Sequence, residues 1–310
     1  MVILPSVRQL HHLVALADHA HFGHAAAACH VTQSTLSASI KELESLLEVG
    51  LVDRTKRHVV LTPLGLETAN RARKIIAEME ELTGAARASR EPLSGTVRMG
   101  VIATVGPHLL PRVLPGLRRA YGQLRLYLVE DLTSRLIEAL HQGGLDTVLL
   151  ALPCDCGAVE TEVLFQDPFV VALPKGHALS NEAHITPQQL SCEELLLLKD
   201  GHCLREHALT ACNLAGRGYT ACFEATSLPT LVLMADNGLG TTLLPALAVE
   251  AGLIRGTTLV TRPLVPAGSR QIGLVWRKGT GRRNEFLLLA QELTRRADPA
   301  RCNESGWSGL

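Results

Sequence analysis

Residues 20–49 read AHFGHAAAACHVTQSTLSASIKELESLLEV, and this stretch decides how the chain begins to fold. Its first part is rich in alanine and predicts a short helix over about 22–29, and its second part predicts a longer helix over about 33–47. The turn between them ends in Thr32, a residue type that caps helix N-termini well. Two helices joined by such a tight turn form a helix-turn-helix.

The flanking segments extend this motif into a winged helix-turn-helix. Residues 7–19 have apolar side chains at helical spacing and predict a helix that precedes the motif. Residues 51–62 predict two short strands joined by a basic tip. Pro63 opens a long helix whose apolar residues have the spacing of helices that pair with a second helix. We therefore expect a DNA-binding domain over 1–62 and a linker and dimerisation helix over 63–90.

Strands and helices alternate along the rest of the chain after a short hinge. This rhythm predicts an α/β fold in which parallel sheets carry helices on both faces. We expect a regulatory region over 91–297, with a first lobe at about 94–167 and 268–297 and a second lobe at about 168–267. Residues 298–310 are polar and small, which predicts a disordered tail.

Composition limits the classes of protein to which the chain can belong. Of its 310 residues, 46% are hydrophobic and 19% charged, so a packed globular core is expected. There are 30 basic and 30 acidic residues, so any nucleic-acid site must be local. Neither a signal peptide nor a membrane-spanning apolar run is present in the sequence pattern, and we expect a cytoplasmic protein whose eight cysteines are reduced at rest.

The second helix of the motif carries short hydroxyl and amide side chains that suit the reading of base edges, and the wing tip carries cations that suit phosphates. The predicted DNA-contacting residues are Gln33, Ser34, Thr35, Ser37, Lys41, Arg54, Lys56 and Arg57. Because residues 1–62 hold as many acidic as basic side chains, affinity must come from local geometry. An ordinary three-helix domain with a solvated polar face is the alternative.

Residues 200–212 read DGHCLREHALTAC and hold Cys203 and Cys212 nine positions apart. The composition between them favours a helix, in which nine residues rise about 13.5 Å and turn about 900°. A disulfide needs Cα atoms within about 7 Å, so the two thiols cannot bond while that helix is intact. Asp200 is placed to cap a helix that starts at Gly201, and Cys203 would then lie where the helix dipole favours negative charge.

The other cysteines read as small buried hydrophobic residues. Cys154 and Cys156 lie two positions apart, but no second pair accompanies them at zinc-binding spacing. We therefore predict no metal site and no cofactor.

The run from Ala20 to Gly65 resembles the winged helix-turn-helix of LysR-type transcriptional regulators. That family joins such a domain, through a linker helix, to a two-lobed domain similar to periplasmic binding proteins, with Rossmann-like parallel-sheet lobes. The helix at 63–90 and the alternating region at 96–296 match this plan. The chain departs from the family pattern at Glu48, where a helix-ending glycine is usual, and also at Ser34 and Val52.

Four further segments resemble the hydrogen-peroxide-sensing members of that family. They are IATVGPHLLP (102–111), KDGHCLREHALTAC (199–212), FEATSLPTLVLMADNGLGTTLLPALAV (223–249) and IGLVWR (272–277). The resemblance implies that Cys203 reacts with peroxide and that Cys212 resolves the product as a Cys203–Cys212 disulfide. It also implies a peroxide pocket whose residues are Thr104, Thr133, His202 and the flanking Arg205.

The same resemblance implies the partners of the protein. They are DNA with pseudo-palindromic sites, hydrogen peroxide, RNA polymerase, a thiol reductant that resets the disulfide, and further copies of the chain in a homotetramer built as a dimer of dimers. Two alternatives stay open. One is a regulator of the same family that binds a small metabolite between the lobes, with structural cysteines; the other is a thiol peroxidase, which the DNA-reading motif argues against because an enzyme needs no such motif.

Overall fold

The structure is a computed structural model that describes residues 4–54, 59–191, 193–212 and 224–297. The chain divides into two compact units. The first comprises Met1–Ala86 with His141–Gly144, and the second comprises Arg87–Leu140 with Leu145–Leu310.

The first unit contains the expected winged helix-turn-helix. Its elements are α1 (Val7–His19), α2 (Phe22–Ala28), α3 (Gln33–Leu47), β1 (Val52–Arg54), β2 (Val59–Leu61) and most of α4 (Pro63–Ala88). The Oγ1 atom of Thr32 accepts a hydrogen bond from the Thr35 backbone N–H at 3.2 Å, so the predicted N-cap is confirmed. Fully buried Leu13, Leu36 and Ile40 pack α1 and α3 into one core.

Glu48 ends α3 in the left-handed conformation, with φ of +56°. The family pattern has glycine there because glycine adopts this conformation without a steric cost. The structure therefore keeps the family's helix end in place with a less suitable residue.

The second unit contains nine strands in one continuous sheet among the described residues. They are β3 (Thr96–Ile102), β4 (Arg125–Asp131), β5 (Thr147–Leu152), β6 (Val159–Leu173), β7 (Leu195–Leu198), β8 (Glu224–Ala225), β9 (Thr241–Pro245), β10 (Val260–Pro263) and β11 (Ser269–Arg277). Its helices are α5 (Gly106–Ala120), α6 (Thr133–His141), α7 (Pro187–Leu190), α8 (Cys203–Ala211), α9 (Leu228–Asp236), α10 (Ala246–Glu250) and α11 (Arg283–Ala297).

The sheet is mixed, whereas the sequence pattern predicted parallel sheets. Its order is β4-β3-β5-β11-β6-β9-β7-β8, with β10 beside β6. The βαβ units give parallel pairs such as β3 with β4 and β7 with β9, but β6 and β11 run antiparallel to each other. The prediction was incomplete because it did not include the first ten residues of β6. These residues are largely exposed or half-buried, so a hydrophobicity pattern identifies only the apolar second half of the strand.

Two hydrophobic cores lie along this sheet. The first core includes Val97, Leu149 and Leu274, and helices α5 and α11 pack on it. The second core includes Val171, Leu196 and Leu244, and α9 packs on it. The long strand β6 pairs with β11 over its first part and with β9 and β10 over its second, so it carries the chain from one core to the other.

Candidate functional site

Helix α8 begins at Cys203, and His202 occupies its N-cap position. Gly201 precedes them with φ of +96°, a conformation that favours glycine and that turns the chain into the helix. The prediction that Asp200 caps the helix is wrong, because the helix starts two residues later than expected and no side chain caps its N-terminus. Cys203 still lies in the first turn, where backbone N–H groups favour negative charge.

Cys203 opens onto a small cavity of about 10 Å³, enough for the centre of about one water-sized molecule. The cavity lies where β3 ends and where α6 and α8 begin. Its lining residues are Ile102, Ala103, Thr104, Asp131, Leu132, Thr133, Gly201, His202 and Cys203. Three of the predicted pocket residues, Thr104, Thr133 and His202, are thus brought together around the Cys203 thiol.

The two threonines present their hydroxyl groups differently. Thr104 is 4% exposed, and its Oγ1 atom accepts a hydrogen bond from the Arg270 guanidinium at 2.8 Å. This contact leaves the Thr104 hydroxyl proton free to be donated. The Thr133 Oγ1 atom is buried and has no hydrogen-bond partner among the described residues. A buried hydroxyl without a partner is costly, so it suits a small polar ligand that fills the cavity.

Arg270 is held by a fully buried ion pair with Asp167. The Arg270 Nε atom donates to Asp167 Oδ2 at 3.0 Å, and the other carboxylate oxygen accepts from the Leu247 backbone N–H at 3.0 Å. Arg270 also donates to the Thr104 carbonyl at 3.1 Å. Every polar contact here is charge-assisted or made by backbone, so Thr104 is rigidly placed.

His202 is half-buried at the cavity, and burial lowers its pKa below the ordinary value of 6.5. The imidazole is therefore neutral near pH 7 and can either donate or accept a hydrogen bond. Asp131 brings a carboxylate to the same cavity, and one of its oxygens accepts from the Leu132 backbone N–H at 2.7 Å. This carboxylate opposes negative charge on the Cys203 sulfur.

Arg205 is not among the residues that line the cavity. Its guanidinium pairs with Asp200 at 2.9 Å and with Glu224 at 3.3 Å, and it donates to the Leu198 carbonyl at 3.2 Å. Arg205 therefore fastens the first turn of α8 to the ends of β7 and β8. Its predicted role as a direct peroxide contact stays a prediction.

Cys212 lies at the other end of α8, about 13 Å from Cys203 along the helix axis. It is 2% exposed within the second core, whereas Cys203 packs against the first core. Burial raises the pKa of the Cys212 thiol to about 11. Both cysteines are free thiols. The helix therefore holds the two sulfurs in different surroundings and beyond bonding distance.

The remaining cysteines differ from the expectation that all are reduced. A disulfide joins Cys154 and Cys156, whose Cα atoms are 5.4 Å apart, within the range that a disulfide allows. Cys29 is a free, half-buried thiol in α2's C-cap position, and burial raises its pKa. Three further cysteines, at positions 192, 222 and 302, lie outside the described residues.

The helix α3 presents most of the predicted DNA-contacting side chains to solvent. Gln33, Ser34 and Thr35 are exposed at its N-terminal end. Lys41 is exposed two turns later, and Ser37 between them is half-buried. An exposed N-terminal end with hydroxyl and amide groups is the part of a recognition helix that meets base edges.

The predicted DNA-contacting side chains of the wing lie outside the described residues. Arg54 ends β1, but its side chain, together with Lys56 and Arg57, lies outside the described residues. Their predicted contacts with phosphates stay a prediction. Among the described helices, none has both the length and the apolar character needed to cross a bilayer.

Sequence reasoning missed three residues of this site. Asp131 is the last residue of β4, and Asp167 and Arg270 lie on β6 and β11, far from Cys203 in sequence. A single charged residue next to an apolar strand segment is a signal that could have pointed to Asp167 and Arg270, because a charge buried in a strand needs a partner. Which partner each one finds depends on strand pairing that the pattern did not resolve.

Comparison with known proteins accounts for both units. A family model described as "Bacterial regulatory helix-turn-helix protein, lysR family" matches residues 7–66, and one described as "LysR substrate binding domain" matches residues 90–298. The chain is 41% identical over 288 residues to a "Hydrogen peroxide-inducible genes activator" of Dickeya chrysanthemi, covering 93% of this chain and 94% of that protein.

Two solved structures are similar over nearly the whole chain. A full-length variant of OxyR from Pseudomonas aeruginosa aligns with a TM-score of 0.77 and 34% identity, covering 94% of this chain and 95% of that one. A hydrogen-peroxide-bound OxyR mutant from Corynebacterium glutamicum aligns with a TM-score of 0.67 and 30% identity, covering 97% and 95%. These proteins are transcription regulators rather than enzymes, and this chain belongs to the LysR family of bacterial helix-turn-helix regulators.

Proposed function

We propose that this regulator senses hydrogen peroxide by oxidation of Cys203 and formation of a Cys203–Cys212 disulfide. The observation that carries the proposal is the small cavity at Cys203, in which a free thiol meets two threonine hydroxyls and a neutral histidine. Its size suits a molecule little larger than water. The likeness to peroxide-inducible activators, and to a peroxide-bound structure, supports the same ligand.

The chemistry begins at the Cys203 sulfur. The thiolate attacks one peroxide oxygen, the O–O bond breaks, and Cys203 becomes a sulfenic acid while the other oxygen leaves as hydroxide. The leaving oxygen needs a proton, and the Thr104 and Thr133 hydroxyls and the His202 imidazole are the groups at the cavity that can orient or relay one. Arg270 fixes the Thr104 oxygen, so this donor is ready before peroxide arrives.

The second step joins the two cysteines. The sulfenic acid condenses with the Cys212 thiol, giving the disulfide and one water molecule. Helix α8 must unwind for this step, because an intact helix holds the sulfurs about 13 Å apart. Cys212 must also leave the second core. The disulfide therefore stabilises a second arrangement of this segment, which is what a two-state switch requires.

The output of the switch is DNA binding by an oligomer. Exposed Leu66, Ile75, Met79 and Leu82 along α4 support pairing with α4 of a second copy. We infer a dimer of dimers that reads pseudo-palindromic sites, contacts RNA polymerase and acts in the cytoplasm, where its DNA is found.

The proposal carries a domain organisation with it. The DNA-binding domain spans 1–62, the linker helix 63–90 and the regulatory domain 91–297. The regulatory domain divides near 167 and 268 into a first lobe, which supplies Thr104 and Thr133 to the cavity, and a second lobe, which holds both Cys203 and Cys212.

Tryptic peptides make the test direct. Cleavage after Lys199, Arg205 and Arg217 places Cys203 alone in residues 200–205 and Cys212 alone in residues 206–217. The reduced full-length protein is treated with stoichiometric peroxide, blocked with a thiol reagent, digested and analysed by mass spectrometry. We expect these two peptides to become linked, and linkage should fail in a Cys203→Ser variant. A matched Cys29→Ser variant should link normally.

Persistent free thiols at both positions in folded, peroxide-treated protein would overturn the proposal. The alternative of a metabolite-binding regulator would then be favoured. Sustained peroxide consumption with a thiol reductant, together with a lack of specific DNA binding, would instead favour a thiol peroxidase.

A further inference from the structure

The proposed switch does not use the Cys154–Cys156 pair, although it lies in the same unit. The pair follows β5 directly and is closed as a disulfide. Cys156 is 4% exposed and packs in the first core, and Cys154 is half-buried at its edge. A reductant therefore reaches the sulfur of Cys154 more readily than that of Cys156.

A structural role accounts poorly for this disulfide. A disulfide stabilises a fold mainly by restraining the unfolded chain, and the restraint grows with the length of the enclosed loop. Here the loop encloses Asp155 alone. A metal role is also unsupported, because no group of three or more potential ligands exists among the described residues.

The backbone beside the pair contacts α8, the helix that the switch must open. The His207 Nε2 atom lies 3.4 Å from the Pro153 carbonyl oxygen, one residue before Cys154. His207 stands midway between Cys203 and Cys212. Because a carbonyl only accepts, Nε2 must carry the proton in this contact.

The rest of the His207 ring supports a neutral side chain. Burial lowers its pKa below 6.5, and its Nδ1 atom is buried with no hydrogen-bond partner among the described residues. The Pro153 carbonyl is therefore the polar partner of this imidazole, and whatever moves Pro153 changes the environment of α8.

We propose that Cys154 and Cys156 form a reversible dithiol–disulfide couple that controls how readily α8 opens. On oxidation, the two thiols give two electrons and two protons to a hydroperoxide such as hydrogen peroxide, which becomes two water molecules. On reduction, a dithiol reductant returns two electrons and two protons, and its own sulfurs form a disulfide. The effect of the couple on peroxide sensing rests on the proposed function; its effect on α8 does not.

The geometry gives the direction of the effect. The closed ring restrains the backbone from Cys154 to Cys156, and the Pro153 carbonyl that faces His207 belongs to the residue directly before this ring. Reduction lets the sulfurs separate and the backbone rotate, so His207 loses its acceptor. Helix α8 should then open more often in the dithiol form, which lowers the barrier to Cys203–Cys212 bonding.

The first test asks whether the couple exists. Trypsin cleaves after Arg135 and Lys175, so Cys154 and Cys156 are the only cysteines in residues 136–175. The full-length protein is equilibrated in graded mixtures of reduced and oxidised dithiothreitol, then acid-quenched, blocked and digested. We expect the peptide to interconvert between a blocked dithiol and a disulfide as the mixture changes. A peptide that stays in one state in every mixture, and under peroxide, overturns the proposal.

The second test asks whether the couple reaches α8. It uses the Cys203→Ser variant, in which the Cys203–Cys212 disulfide cannot form, so failure of the proposed function does not affect the result. Amide hydrogen exchange is compared with the Cys154–Cys156 pair closed and open. Loss of one hydrogen bond predicts exchange of α8 amides about threefold to tenfold faster in the dithiol form. Helix α9, which packs on β7, β8 and β9, serves as the internal control and should not change.

Two further variants keep the result specific. In His207→Phe the contact is absent, so α8 exchange should no longer depend on the state of the pair. Cys154→Ser with Cys156→Ser should exchange like the dithiol form whatever the reductant. Equal protection of α8 in both states of the otherwise unaltered pair would overturn the coupling.

Discussion

Cys203, at the N-terminal end of α8, is half-buried and faces a cavity lined by hydroxyl groups, whereas Cys212, at the C-terminal end, is 2% exposed inside the second core. The first thiol lies in the first turn of α8, at a cavity with threonine and histidine side chains, and the second lies among the aliphatic side chains of the second core. Burial raises the pKa of Cys212 to about 11, so this thiol stays protonated under ordinary conditions.

In the proposed mechanism, this difference separates the reaction of Cys203 with peroxide from the later reaction of Cys212. A protonated thiol reacts slowly with peroxide, so Cys212 is protected while α8 is intact. Once the helix opens, the same thiol reaches water and becomes an ordinary partner for a sulfenic acid. In this proposal, α8 thereby sets the order of the two chemical steps.

The largest expected effect comes from removing one thiol at a time. Cys203→Ser should abolish peroxide-dependent oxidation of Cys212, because the Cys212 thiol is buried and protonated. Cys212→Ser should leave Cys203 reactive but unresolved, so a sulfenic acid should accumulate and be trapped by a dimedone-type reagent. Mass spectrometry of residues 206–217 reads the first outcome, and mass spectrometry of residues 200–205 reads the second. If Cys212 is oxidised at the wild-type rate in Cys203→Ser, the two ends are equivalent and the comparison fails.

The high pKa of Cys212 also predicts how stability depends on pH. The folded state keeps this proton up to about pH 11, whereas the unfolded chain releases it above an ordinary value near 9. The unfolded state therefore binds fewer protons in this window, and the free energy of unfolding falls as pH rises from about 9 to 11. The total contribution is about 3 kcal/mol, at 1.36 kcal/mol per pH unit.

Urea unfolding of wild type and Cys212→Ala at several pH values isolates this effect. Other groups titrate in the same window, but they do so in both proteins. As pH rises from about 9 to 11, we expect the free energy of unfolding to fall more steeply for the wild type than for Cys212→Ala. Parallel pH curves would mean that Cys212 is not buried as described.

Gly268 offers a way to disturb only the Cys212 end. A Cβ atom at this position would lie 2.5 Å from the Ala211 Cβ and 3.2 Å from a Leu264 methyl group. Gly268→Ala should therefore push the last turn of α8 outwards, at a cost of about 1–3 kcal/mol for overpacking. Exchange of amides near Ala211 should speed up, and peroxide-driven linkage of Cys203 to Cys212 should become faster.

Gly122→Ala is the matched control, because no atom lies within 4 Å of its Cβ position. It should leave both measurements unchanged. Slower linkage in Gly268→Ala would show that opening of this end is not what limits the second step.

The sequence predicted the structure of the DNA-binding unit more completely than that of the cysteine site. The bounds of α1 and α3 and the Thr32 cap follow from local spacing and capping chemistry, and local rules suffice for a short helical domain. The opposite placement of Cys203 and Cys212 also follows, since it depends only on helix geometry. The start of α8 was misplaced by two residues, because Asp200 pairs with Arg205 rather than with the helix end.

The rest depends on distant contacts. The pairing of Arg270 with Asp167, which fixes Thr104, joins residues more than a hundred positions apart across β6 and β11. The order of the strands in the sheet decides which residues make such contacts. A hydrophobicity pattern that misses the first half of β6 cannot predict that order. The Cys154–Cys156 disulfide was missed for another reason: its closure depends on backbone conformation within three residues, which composition does not report.

The smallest expected effect concerns the cavity at the Cys203 end. Thr133→Val removes a buried hydroxyl that has no partner in the described structure, so folding should be unchanged or slightly more stable. If that hydroxyl orients peroxide, oxidation of Cys203 should slow by about fivefold to tenfold, the value of one hydrogen bond of about 1 kcal/mol. Thr133→Ser keeps the hydroxyl and should react at nearly the wild-type rate. Stopped-flow kinetics measures the rate of Cys203 oxidation in both variants. If Thr133→Val reacts as fast as the wild type, peroxide is oriented by Thr104 and His202 alone. Because Cys212 is far from this cavity, the rate of the second step should stay unchanged in both variants, which keeps the chemistry of the two ends of α8 independent.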